Sequence, residues 1–284
     1  MAPMSSTVAR WELKLRLNRL RGESGFDDAD IIAAVGISRP YWSQVSNGTR
    51  ILTEDKLRAL LNIYGCDEAE QDELLALRAV LKERGWWMKY PALLSPEMQR
   101  LFGLEHGARS IRCYNSLLIP GLLQSRGYAR AIIAANTMIR PFEVDQHLAI
   151  RMQRQHRLAG DDPLHLTAVF SQAALIQQTG GPDVLREQLH HLVRLIEDHP
   201  DTIEIRVIPF TAAEGAALGG STYHLLDFPS THLPTVEWSE TALQGNIIED
   251  QSEVNGLSYA FRQALTHTLS ADDSLALIKA SVSG

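Results

Sequence analysis

The chain has 284 residues, more than the roughly 100–200 usual for one domain, so two domains are predicted, each able to bury its own core. Hydrophobic residues at 45% and charged residues at 21% exclude wholesale disorder, and no apolar run approaches the roughly 18 residues of a membrane helix. A net charge of −7 counts against a nucleic-acid partner for the whole chain but not for its beginning: residues 1–62 carry nine Lys/Arg and seven Asp/Glu, a balance of +2, leaving −9 for the rest. Only that first segment meets phosphate without strong repulsion, and its small excess predicts affinity that salt erodes readily.

The N-terminus turns charged at once and shows no apolar stretch before a cleavage site, so no signal peptide is predicted and the expected location is cytoplasmic. Two cysteines, Cys66 and Cys113, without CxxC spacing, suit a reducing compartment and argue against zinc or a disulfide framework.

Five helices are predicted before any strand. Val8–Arg21 carries Trp11, Leu13, Leu15, Leu17 and Leu20 as an apolar stripe and ends at Gly22 and Gly25. Asp28–Val35 starts among Asp27, Asp28 and Asp30, whose carboxylates suit the positive end of a helix, and stops at Gly36. Ser38 caps a third helix reaching Asn47, with Pro40 tolerated in its first turn, and Gly48 ends it. Thr53 caps a fourth to about Tyr64, and Asp67 opens a fifth through Leu74, Leu75, Leu77, Val80 and Leu81. Trp86-Trp87-Met88-Lys89-Tyr90-Pro91 breaks the helical pattern near the domain junction; the two tryptophans are read as packing between domains or against a second subunit. Helices follow at 95–103, 123–135 and 141–158. Strands are then predicted at 165–170, 203–208, 221–227, 234–238 and 244–248, with helices at 183–197, 250–268 and 272–280. The fold class is therefore α+β in two domains: an all-α five-helix bundle, then a mixed domain with a small sheet flanked by helices. Boundaries are set at 1–64 for the first domain, 65–94 for a connecting helix and linker, and 95–284 for the second.

The stretch from Asp27 to Gly48 places two short helices around a Gly-Ile turn, the arrangement that frees a second helix for a DNA major groove. Ile37, Trp42 and Val45 face inward, leaving Ser38, Arg39, Pro40, Tyr41, Ser43, Gln44 and Asn47 on or near the exposed face. Here the sequence resembles the Xre, or lambda-repressor-like, helix-turn-helix family over about residues 8–64, on a small residue at Ala33, Gly36 at the turn, Ile37-Ser38 at the cap and Asn47-Gly48 at the end. The resemblance implies that Arg39, Pro40 and Ser43 read base edges and that Gln44 and Asn47 lie at or near phosphate. Arg39 is the strongest base reader, its planar fork matching guanine O6 and N7, while Arg50 is placed for phosphate. Asp27-Asp28 departs from the Ser/Thr-Gln pair usual at the start of that family's second helix, and carboxylates there repel the DNA backbone.

Residues 95–284 resemble the poorly characterised C-terminal domain of an actinobacterial, WhiJ-like or antitoxin-like group of Xre-type regulators. The matching segments are 117–124 (LLIPGLLQ) with Tyr128-Ala129-Arg130, then 151–155, 181–183, 207–210, 226–228 and 275–278. The resemblance implies a small protein partner encoded by a neighbouring gene, and no catalytic activity. Pro120-Gly121 is read as core or as the floor of a ligand pocket. Arg151, Arg154 and Arg157, three residues apart, are read as a solvated basic face or as receivers of an acidic ligand or partner. Glu237 and Glu240, beside Trp238 at a short strand end, are read as solvent-facing or as a carboxylate pair for acid-base work. GxSxG, GxGxxG, GxxxxGK and HExxH are absent, so no enzyme, metal or cofactor is expected. The predicted function is a homodimeric, sequence-specific regulator on double-stranded, palindromic DNA, modulated through its C-terminal domain. The alternative is an antitoxin-like module that neutralises a small partner, with DNA binding secondary.

Overall fold

In a computed structural model the described residues are 3–213, 222–241 and 245–282; Ser221 and Gln244, predicted strand starts, lie outside them. They group into two compact units, 3–89 with 230–233, and the remainder from Tyr90 onward.

The first unit is all helical: α1 (Ser6–Ser24), α2 (Asp28–Val35), α3 (Arg39–Ser46), α4 (Glu54–Ile63) and α5 (Glu68–Val80). Ser5, Asp27, Ser38 and Asp67 cap α1, α2, α3 and α5 through their side chains, whereas Thr53 sits at the α4 cap without a side-chain hydrogen bond. Ile31, Leu60, Leu61 and Leu74 are fully buried at the centre, each contributing about 1.5–3 kcal/mol. The unit extends beyond the sequence-derived limit at residue 64. Helix α5, expected as a connector, buries Leu74 and Leu77 in this core, and its Glu70 and Glu73 hold the buried Arg16 of α1 at 3.2 and 2.8 Å. The chain leaves at a short 3-10 turn, Trp86–Lys89, which buries Trp87.

The second unit is α+β. In order it contains α6 (Pro96–Gly107), β1 (Ser110–Asn115), α7 (Arg126–Ala135), α8 (Val144–Gln155), β2 (His165–Ser171) and α9 (Pro182–Asp198). There follow β3 (Ile203–Ile208), β4 (Thr222–Asp227), β5 (Val236–Glu240), β6 (Gly245–Ile248), α10 (Gln251–Thr266) and α11 (Ala271–Val282). The sheet has six strands in the order β3-β2-β1-β4-β5-β6, larger than the small sheet predicted. β1 is parallel to β2, and β2 to β3, through helical crossovers; β4, β5 and β6 continue antiparallel. The central strand β1 was not predicted, because Ser110, Arg112 and Asn115 interrupt its apolar run. Arg112 is tolerated there because Asp227 on β4 accepts from its Nε and Nη2 at 3.2 and 3.1 Å. Tyr114, Val169, Tyr223 and Leu225 pack under α10 on one face, with Val254 and Phe261. No helix of the described residues is long and apolar enough to cross a membrane.

Candidate nucleic-acid interface

The turn between α2 and α3 is made by residues chosen for backbone conformation. Gly36 closes α2 at φ 64°, a left-handed geometry that disfavours side chains, and Lys56 of α4 donates to its carbonyl at 3.3 Å. Ser38 Oγ accepts the Tyr41 N–H at 3.4 Å and starts α3, with Pro40 in the first turn. Trp42 and Val45 are buried and Ile37 half-buried, so α3 is anchored along one side only. Gly48 leaves the helix at φ 80°, where a Cβ would stand 3.0 Å from Lys14 Cδ.

This anchoring leaves Ser38, Arg39, Pro40, Ser43, Gln44, Asn47 and Arg50 exposed. No hydrogen bond or ion pair among the described residues holds the Arg39 guanidinium; Asp27 is the carboxylate whose charge it feels. Tyr41 differs from the expectation of a free surface residue: its hydroxyl donates to the Ile51 carbonyl at 3.2 Å, and its ring lies under the cations of Arg50 at 4.6 Å and Lys56 at 5.5 Å. Arg50 also donates to Gln44 Oε1 at 3.4 Å, so Tyr41 and Gln44 together hold a cation beside the recognition helix. Asn47 Oδ1 accepts from the Thr49 N–H and hydroxyl at 2.9 and 2.7 Å and shapes the turn after α3.

The two aspartates that depart from the resembled family have structural partners. Asp27 caps α2 by accepting the Asp30 N–H at 2.9 Å, and that bond, followed by the Ala29 N–H, the Asp30 side chain and the Arg39 charge, holds its carboxyl below the usual range. Asp28 accepts from the Trp42 indole N–H at 2.6 Å and pairs with Arg21 at 2.8 Å, while Arg21 lies 6.0 Å from the Trp42 ring centre. The carboxylate expected to repel phosphate is thus the tie between α1, α2 and the buried side of α3.

In the second unit the structure brings Pro120, Gly121, Arg151 and Arg154 to one place but overturns the solvated basic face. Glu105 of α6 accepts from Arg154 Nε and Nη2 at 2.9 and 2.7 Å, with both side chains under 10% exposed and Phe102 4.6 Å beneath the guanidinium. Arg151 donates to Gln124 Oε1 at 2.6 Å, and Arg157 donates to the carbonyls of His106, Ala108 and Asp162. Gln155 Nε2 donates to the Gly121 carbonyl at 3.1 Å, tying the 117–124 loop to α8. The reading of Glu237 as solvent-facing is corrected too: it is 0% exposed, because its position on β5 faces the α10 side of the sheet, whereas Glu240 is exposed.

A family model described as a domain of unknown function, DUF5753, matches residues 98–280. The chain belongs to this family. A second model, described as a helix-turn-helix domain, matches residues 12–74, which span all of the recognition surface above and most of α5. No curated protein and no solved structure matches the chain. The chain is therefore a helix-turn-helix protein with a DUF5753 domain, and the helix-turn-helix makes it a DNA-binding regulator in the broad sense. Within the DUF5753 domain, sequence reading missed Glu105, Gln124 and His224. Gln124 stood in a matching segment; Glu105 and His224 carried no signal of their own, since a lone acid in a helix and a lone histidine in a strand look like surface or core.

Proposed function

We propose that this chain is a sequence-specific transcriptional regulator of the Xre, WhiJ-like kind, acting in the cytoplasm as a homodimer on a palindromic operator and having no catalytic activity of its own. The observation that carries this reading is the state of α3: a capped helix, anchored along one side, presenting an unheld arginine at its start. In a major groove Arg39 would read guanine, with Pro40 and Ser43 shaping contacts to neighbouring bases, while Gln44, Asn47 and Arg50 meet phosphate. Dimerisation doubles a short interface and sets half-sites about one helical turn apart. Operator occupancy is modulated when the DUF5753 domain binds a small protein or ligand.

Two substitutions test the division of labour. Arg39→Ala should relax discrimination at one base position, by about 1–3 kcal/mol, while leaving the salt slope nearly unchanged. Arg50→Ala should weaken all sequences alike and lower the salt slope by about 1. Equal effects of the two on matched and scrambled sites would remove Arg39 from base reading. A stoichiometric small protein that co-purifies with a chain showing no sequence preference would favour an antitoxin-like role instead.

A further inference from the structure

The DUF5753 domain buries more polar chemistry between its sheet and helices α6–α8 than those elements use. Helix α8 carries His147, Arg151 and Arg154 at positions i, i+4 and i+7, one face of the helix. His147 lines an open cleft of about 620 Å³ that also includes Met98, Arg140, Trp238 and Glu240. Arg151 follows one turn below. Its hydrogen-bond partner is Gln124 Oε1, a neutral group, and no carboxylate among the described residues lies within ion-pairing distance of it. The neighbouring guanidinium of Arg154 is already matched by Glu105.

The sheet contributes from the opposite side. His224 on β4 is paired in register with Trp238 on β5 and Cys113 on β1, so His224 shares the face on which Trp238 lines the cleft. His224 is 8% exposed and its Nδ1 has no hydrogen-bond partner. Asn115, two residues beyond Cys113 and on the same face, is 7% exposed with an equally unpartnered Oδ1. It ends β1, and the 117–124 loop leaves from that carboxyl end, the edge where parallel sheets bind ligands. In that loop a Cβ on Gly121 would stand 3.7 Å from Arg154 Nη1 and 4.0 Å from Arg151 Nε, so its backbone lies within van der Waals reach of both guanidiniums.

We propose that Arg151, with Gly121, Gln124 and His224, forms the sensing site of the DUF5753 domain and takes the oxyanion of a small metabolite, a carboxylate or phosphate group, entering by the Trp238 cleft. Arg151 supplies an unmatched charge, Gly121 a backbone without a side chain beside it, and His224 an imidazole nitrogen with a bond still to make. Burial, and then the charge of Arg154, lower the proton affinity of Arg151 to about 10, which leaves it cationic at neutral pH and in want of a counter-ion. Glu240, exposed at the cleft, and Glu105 are the carboxylates whose charges reach the cluster. The proposal rests on reading the DUF5753 domain as the sensing half of the regulator, but its test needs no DNA.

Sodium phosphate and sodium acetate, each titrated into the full-length protein against sodium chloride at constant ionic strength, separate the two sources of the anion. The Arg151 Nε–H resonance should shift and saturate with one of them. The melting midpoint of the second unit should rise by about 5 °C at a hundred-fold excess over the dissociation constant. Arg151→Met should lose the response, with its melting in chloride lowered by the acceptor it strands on the buried Gln124. Gly121→Val keeps every charge and should lose the response by setting branched methyls against the two guanidiniums; it decides the matter even where Arg151→Met does not fold. An unsaturating response, or one equal in parent and Gly121→Val proteins, overturns the site. Saturation by either anion in a protein that selects no DNA sequence would leave the site standing and the regulator reading without support.

Discussion

Removing Arg154 alone should be among the most damaging single changes in the second unit. Its side chain is 9% exposed and that of its partner Glu105 3%, they share two bonds of 2.9 and 2.7 Å, and the guanidinium lies 4.6 Å over Phe102. Arg154→Met leaves the Glu105 carboxylate buried without its cation, at a cost of about 3–5 kcal/mol. Glu105→Leu leaves Arg154 unmatched beside Arg151 and should cost as much. The double variant removes both charges and keeps the volume apolar, so it should fall within about 1 kcal/mol of the parent, a coupling of about 5 kcal/mol or more. Urea-dependent hydrogen exchange of peptides from β1 and β2 reads this unit without interference from the helical one. Single variants within about 0.5 kcal/mol of the parent, or a double variant as costly as the two singles together, would refute the pair as a buried, mutually dependent couple.

Other expectations follow from the same physics. Asp28→Ala strands the Trp42 indole N–H and releases Arg21; it should cost about 1–2 kcal/mol in unfolding of the helical unit, and Asp28→Asn, which keeps an acceptor, should cost less. An unchanged stability in Asp28→Ala would show that the aspartate does not tie α3 down. Burial holds the Glu237 carboxyl above its ordinary 4.5, against the Ser239 hydroxyl that donates to it. The native state therefore keeps a proton that the unfolded chain has released, and stability falls as pH rises from the unfolded value through the folded one. Glu237→Gln should flatten that fall and melt above the parent at neutral pH; a parallel pH profile in the two proteins would contradict the argument. Burial pushes the thiols of Cys66 to about 11 and Cys113 to about 12, so iodoacetamide at pH 8 should label Cys113 only after unfolding and Cys66 slowly before it. Rapid labelling of Cys113 in the native protein would show that β1 is not buried as described.

The helical unit was legible because its signals are local. Asp27, Ser38 and Asp67 announce helix starts by their chemistry, Gly36 and Gly48 announce ends, and Trp42 and Val45 give α3 a buried side at helical spacing. The limit at residue 64 failed because α5 buries Leu74 and Leu77 in the same core and its Glu70 and Glu73 surround Arg16 of α1, a residue that reads as surface until those acids stand around it. β1 failed for the same reason, since Arg112 suits a central strand only when Asp227 stands on the neighbouring one. The arginines of α8 show the limit most clearly. Their spacing was visible, but whether such a face meets water or Glu105 and Gln124 depends on contacts 27 and 49 residues away.

Whether α3 reads sequence is measured by selection of bound fragments from random and genomic DNA by the purified full-length chain at near-physiological salt, with Arg39→Ala alongside. The expected result is a palindromic motif with half-sites about one helical turn apart, blurred at one position per half-site in the variant. A folded protein that enriches no sequence, or an Arg39→Ala variant that enriches the same motif with the same sharpness, would contradict it.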